Sequence, residues 1–146
     1  MLCLIQRVTS ASVVVDSQTI SEIGPGLLVF VCAMETDTEE TAVKAAGRTI
    51  RLRIFRDANG RMNRSLIDAG GSMLIVSQFT LGADTKKGNR PGFSQVAGPE
   101  LGSRLYDRFV AEARLHCRDV RTGEFGAEMS VNLTNDGPVT IWLDIN

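Results

Sequence analysis

The chain has 146 residues, 43% hydrophobic and 23% charged, with a formal net charge of −1. That length and balance fit one compact domain able to bury its own core, and exclude an intrinsically disordered chain. A charge so near zero excludes a broad electrostatic nucleic-acid binder, though not a protein that grips one end of a nucleic acid.

The N-terminal MLCLIQRVTSASVVV meets charge at Arg7, so neither a signal peptide nor a membrane-spanning run is expected, and the cytoplasm is the default compartment. Residues 2–8, 10–17 and 26–34 are short, rich in Val, Ile and Leu, and divided by polar or glycine punctuation, which predicts three strands. From Asp37 the period changes. Thr36-x-x-Glu39 and Asp37-x-x-Glu40 each resemble a capping box, and Val43, Ala46 and Ile50 then recur at helical spacing. In RIFRDANGRMNRSL, Asn59-Gly60 predicts a turn. Residues 72–81 form the most apolar strand, followed by a Gly- and Lys-rich loop too long for a tight hairpin.

Pro99 opens a second helix, with Leu101, Leu105, Phe109 and Ala113 as its core stripe. Two alternating strands are predicted last, over 128–135 and 139–145. No repeat or linker interrupts residues 1–146, which are read as a single domain. The expected fold is α/β of the α+β type: mostly antiparallel or mixed sheets, with two main helices packed on one side.

Familiar catalytic machinery is missing. The single histidine, His116, falls at a predicted helix C-terminus, where a surface role compatible with the helix dipole is the simplest reading. Cys3, Cys32 and Cys117 form no C-x-x-C pair, and Cys3 and Cys32 sit in apolar runs as small core residues. No nucleophile elbow, phosphate loop, dinucleotide fingerprint or metal-ligand motif is present, so neither cofactor nor metal is expected. The basic groups Arg48, Arg51 and Arg53, and Lys86, Lys87 and Arg90, taken alone read as solvated surface charge.

Two places stand out. Ser77-Gln78-Phe79-Thr80 puts three hydrogen-bonding side chains at the end of an apolar strand, which is either an ordinary strand exit or the lip of an oxyanion site. The stretch Asn135-Asp136-Gly137-Pro138-Val139-Thr140 has the spacing of a hairpin, but Pro138 removes a backbone donor where the next strand should begin. A Gly-Pro unit could instead present bare carbonyl oxygens to a closely fitting ligand.

These two places, with LIQRV at 4–8, GLLVFV, RIFRDANGRMN, KGNRPGF, LYDRF and TGEFGAEM, resemble the D-aminoacyl-tRNA deacylases of the D-Tyr-tRNA deacylase type along nearly the whole chain. Gly92 departs from the more usual serine and should alter loop stiffness only. The resemblance implies a hydrolase of translation quality control that cleaves the ester between a D-amino acid, or mischarged glycine, and the terminal adenosine of tRNA. It implies a homodimer with active sites at the interface. Gly137-Pro138 would be cis and reach into the partner's pocket to exclude L side chains, held there by Arg7. It implies Thr80, Gln78 and Ser77 as the catalytic positions, Thr80 acting by positioning and oxyanion binding or else as a nucleophile. Phe79, Phe125, Gly126 and Met129 would surround the adenosine, and Lys86, Lys87 and Arg90 would meet tRNA phosphates. Two rivals remain: a non-catalytic module that binds tRNA ends, and a serine or cysteine esterase using His116.

Overall fold

The computed structural model describes residues 1–86 and 88–146. Strand β1 (Leu2–Val15) organises the sheet. Its first half pairs antiparallel with β3 (Gly26–Cys32), its second half with β2 (Gln18–Ile23), and β8 (Ser130–Asp144) runs antiparallel along its other edge. Asp16 and Ser17 join β1 to β2 with positive φ at both residues, the backbone sign of the tight hairpin turn that matches strand twist.

Beyond β3 the sheet becomes parallel: β6 (Ser72–Ser77) pairs with β3, and β7 (Val120–Thr122) with β6. Parallel neighbours need long crossovers, and the helices supply them. Helix α1 (Glu39–Ile50) lies between β3 and β6, and α3 (Pro99–His116) between β6 and β7. A short ribbon, β4 (Phe55–Arg56) with β5 (Met62–Arg64), and the one-turn helix α2 (Leu66–Ala69) fill the rest of the first crossover. This is the expected mixed sheet with two main helices.

Strand alternation sorts the core into two layers. Leu27, Val29, Val31, Met73 and Ile75 face the helices, where Ala42, Ala45 and Ala46 let α1 approach and Leu105, Phe109 and Ala113 supply the α3 stripe. Leu28, Leu74 and Val76 point the other way and meet Val8, Ala11, Val13 and Ile23. The second half of β1 therefore folds back across the sheet's other face. The fold-back begins where the ladder with β8 shifts, between Val8 and Ser10.

Four readings are corrected. The strands predicted over 2–8 and 10–17 are one strand that ends at Val15, with an irregular ladder. Residues 128–135 and 139–145 likewise belong to the single strand β8, so the hairpin reading of Asp136-Gly137 is wrong. Helix α1 is capped by Thr38, whose hydroxyl and that of Thr41 form the reciprocal box expected one or two residues earlier. The strand predicted over 72–81 ends at Ser77, and Phe79–Gly82 is a 3-10 turn.

Candidate active site

The end of β6 builds one wall of the site. Leu74, Ile75 and Val76 are buried, and polarity begins at Ser77 as the strand leaves the core. The Gln78 N–H still donates to the Val31 carbonyl at 2.8 Å, which fixes the chain to β3 up to that point. The 3-10 turn that follows is held from beneath: the Cys32 thiol donates to the Phe79 carbonyl at 3.4 Å. Gly82 approaches Val96 so closely that a Cβ there would lie 2.5 Å from Val96 Cγ2, so only glycine fits without displacing it. Among the described residues, the backbone N–H groups of Phe79 and Thr80 donate to no protein acceptor. They are the free donors at the strand end, since the Gln78 N–H is already used.

Opposite this wall stand Phe125, Gly126 and Met129, from the segment leading into β8. Phe125 rests against Tyr106, ring centroids 5.9 Å apart, and the Tyr106 hydroxyl donates to the Ile75 carbonyl at 2.7 Å. Burial raises the Tyr106 pKa above its ordinary value, so it stays a neutral donor that ties α3 to β6 beneath the site. Ser77, Gln78, Phe79, Phe125, Gly126 and Met129 line one cavity of about 540 Å³. Its remaining lining comes from Val76, Phe93, the 96–99 segment, Ala127 and Val131. Phe93 meets Phe79 edge-on, with centroids 5.1 Å apart. Sequence reading gave Phe93 no role, although an aromatic closing a polar, Gly- and Lys-rich loop was the available signal.

Thr80 stands outside that lining, exposed, its hydroxyl oxygen accepting from Gln78 Nε2 at 2.5 Å. This contact leaves the hydroxyl proton free to donate outward. No histidine serves as its base: Pro99 lines the cavity at the start of α3 and His116 ends that helix, ~26 Å away at 1.5 Å per residue. His116 pairs instead with Glu112 at 3.1 Å. Burial raises the Cys32 pKa and pushes that of Cys3 up to about 12, which keeps both thiols protonated and poorly nucleophilic. Lys86 and Arg90 are exposed in the loop whose base is clamped by Asp84 and Gly92; Lys87 lies outside the described residues.

Arg7, Gly137 and Pro138 form a second constellation. Gln6 faces Thr140 and Val8 faces Asn135, so Asp136–Val139 is an excursion from β8 with Arg7 alone opposite it. Arg7, only 3% exposed, donates from Nε to the Asp136 carbonyl at 3.1 Å and from Nη1 to the Ile54 carbonyl at 2.5 Å, and its Nε pairs with the Asp136 carboxylate at 3.1 Å. The Asn135 side chain closes the excursion, accepting from the Val139 N–H at 2.8 Å and donating to Thr140 Oγ1 at 2.9 Å. The Gly137–Pro138 bond is cis. Gly137 has φ of +136°, and a Cβ on it would fall 2.8 Å from Val139 Cγ2.

Comparison with known proteins gives one answer along the whole chain. The family described as D-Tyr-tRNA(Tyr) deacylase matches residues 4–144. A D-aminoacyl-tRNA deacylase of Ruegeria sp. (strain TM1040) is 60% identical, covering 99% of this chain and 92% of its own. The protein of the same name from Dinoroseobacter shibae is 58% identical over 99% of both chains. Among solved structures, one titled c-Myc DNA Unwinding Element Binding Protein superposes with a TM-score of 0.94 at 37% identity, covering 99% of this chain and 98% of its own. A probable eukaryotic D-amino acid tRNA deacylase shares the fold at a TM-score of 0.85 and 22% identity, with the same coverage. A chain so closely matched from its first strand to its last belongs to the D-Tyr-tRNA(Tyr) deacylase family.

Proposed function

We propose that this chain hydrolyses the ester joining a D-amino acid to the 3′-terminal adenosine of tRNA, releasing free D-amino acid and tRNA, and clears mischarged glycine by the same chemistry. The observation that carries the reading is the cavity itself. It is a mostly apolar slot, with Phe79, Phe125 and Met129 on its walls, the free N–H of Phe79 in its lining and that of Thr80 on the next residue just outside it. Aromatic and thioether surfaces suit an adenine ring, and unpaired backbone donors suit the oxygen of a carbonyl under attack.

An aminoacyl ester is already activated, so holding it in place and stabilising its oxyanion can drive hydrolysis without a dedicated base. In this reading the Phe79 and Thr80 N–H groups receive the developing oxyanion. Gln78 orients the Thr80 hydroxyl, Ser77 adds polarity at the cavity floor, and the RNA 2′-hydroxyl assists.

Chirality is assigned to Gly137 and Pro138, whose carbonyl oxygens crowd the side where an L side chain would project. Glycine, which has no side chain, escapes this exclusion. The motif works in trans. Arg7, which anchors it, pairs with Leu27, whereas Gln78 of the cavity is bonded to Val31, ~13 Å further along β3 at 3.3 Å per residue. A chain therefore holds its Gly-Pro unit away from its own cavity, which supports a homodimer in which each subunit completes the other's site.

The test is release of D-tyrosine and of L-tyrosine from the corresponding aminoacyl-tRNAs by the purified protein. Rapid release of the D form alone is expected. Equal cleavage of both would overturn the chirality assignment, and tRNA binding without turnover would favour a binding module.

A further inference from the structure

We infer that the β4–β5 ribbon is a docking surface for the phosphodiester backbone of tRNA. It would hold the RNA whose 3′ end occupies the neighbouring subunit's cavity. This rests on the deacylase reading above. The segment 51–64 carries Arg51, Arg53, Arg56, Arg61 and Arg64 against one acidic residue, Asp57, in a chain whose net charge is only −1. All five arginines are exposed.

Asp57 offsets only one of the five charges. Its carboxylate is turned inward, accepting the N–H groups of Asn59 and Arg61 and the side-chain amide of Asn63. These bonds, the backbone ones foremost, hold its pKa below the usual carboxylate range. The acid thus shapes the turn while staying ionised, and the segment keeps a positive excess of five arginines over one carboxylate. Among the described residues, neither Arg61 nor Arg64 makes an ion pair; Arg64 donates only to the Asp68 carbonyl.

The ribbon's position gives this charge a purpose. Arg56 reaches the Asp136 carboxylate at 3.4 Å, and Arg7 ties the Ile54 carbonyl, just before β4, to the same excursion. Ribbon and Gly137-Pro138 are therefore tied to each other. Wherever the Gly-Pro unit enters a partner's cavity, the ribbon arrives beside the mouth through which an RNA end must pass. Guanidinium groups suit phosphate oxygens there, because their fork donates two parallel hydrogen bonds. Such contacts position a duplex without reading its sequence, as an enzyme acting on many tRNAs requires.

The experiment is titration of deacylated tRNA by fluorescence anisotropy across a KCl series, for the wild type and for Arg61→Glu/Arg64→Glu. Affinity should fall at least about tenfold at low salt, and the slope of log affinity against log salt should drop by about two, one for each phosphate no longer neutralised. Arg104→Glu/Arg114→Glu on α3 removes the same charge elsewhere and should change neither quantity. Hydrolysis of D-tyrosyl-adenosine, which lacks a stem, reports whether the variant folds; its kcat/KM should hold while that on D-tyrosyl-tRNA falls. Unchanged tRNA affinity, or equal losses on both esters, overturns the inference. A wild type that binds tRNA through this ribbon yet cleaves no D-aminoacyl ester would overturn the deacylase reading and leave the surface standing.

Discussion

Thr80 and Arg7 carry different kinds of consequence at the scale of single residues. The Thr80 hydroxyl has no histidine near it to take its proton, so it cannot easily become an alkoxide. Thr80→Ala should slow hydrolysis of D-tyrosyl-tRNA about ten- to a hundredfold, the cost of one hydrogen bond to developing charge, without abolishing it. Single-turnover rates check this, and complete loss with tRNA binding intact would point to a nucleophile. Arg7 is buried and serves two carbonyls and a carboxylate, so Arg7→Ala strands two carbonyls and leaves the Asp136 carboxylate to the exposed Arg56. We expect a loss of at least ~2 kcal/mol in urea unfolding, together with a smaller D-over-L preference as Asp136–Val139 loses its anchor. Arg7→Lys should not rescue either, because an ammonium cannot span that fork of acceptors. The aromatic and glycine positions of the cavity were recognisable from sequence by resemblance. What no local pattern could show was that Thr80 stays outside the lining while Phe93 lies inside it, since that depends on how a loop folds back over a strand end.

Short segments show why elements were harder to read than residues. A turn and an excursion from a strand use the same residue types, Gly, Pro, Asp and Asn, so Asn135–Val139 carries a hairpin's composition. Only the partner tells them apart: β1 continues past Arg7 on both sides, and pairing resumes in the same direction. The break at Thr9-Ser10 misled in the same way. Strand β7 and the one-turn helix α2 are shorter than the window over which any period is visible. The long periodic elements α1, β3, β6 and α3 were legible because each buries a repeating face. In the loop after β6, Gly92 sits in an extended bridge with Asp84, and a Cβ there would meet only the Asp84 carbonyl, at 3.9 Å. Gly92→Ala should therefore raise the urea midpoint, by about 0.4–1 kcal/mol of stability, through a less flexible unfolded chain.

For the whole molecule, buried thiols and a buried phenol make stability fall at high pH. Cys3 is raised from 9.0 to about 12, so below pH 9 it is protonated in both states and its contribution is fully present. Between pH 9 and about 12 only the unfolded chain releases the proton, and stability should drop by about 1.4 kcal/mol per unit from this group. Urea titrations over that range should give a shallower decline for Cys3→Ala than for the wild type. Assembly was not legible in strand patterns, yet among the described residues β8 pairs with β1 alone and leaves its outer edge open, with Trp142 50% exposed beside it. Long open edges are usually covered, and sedimentation should find a two-chain particle.

The same strand carries a constraint of parity. Leu2 faces Asp144 and Val14 faces Ser130, so twelve steps along β1 are matched by fourteen along β8, an even surplus. Evenness keeps Val131 and Val139, Ile141 and Leu143 on the inward side and Trp142 on the outward side. Removing or adding one residue anywhere in Asp136–Val139 would exchange those roles along half the strand, turning Ile141 out and Trp142 in. The length of the segment proposed to judge handedness is thus locked, by odd and even, to the hydrophobic core behind it.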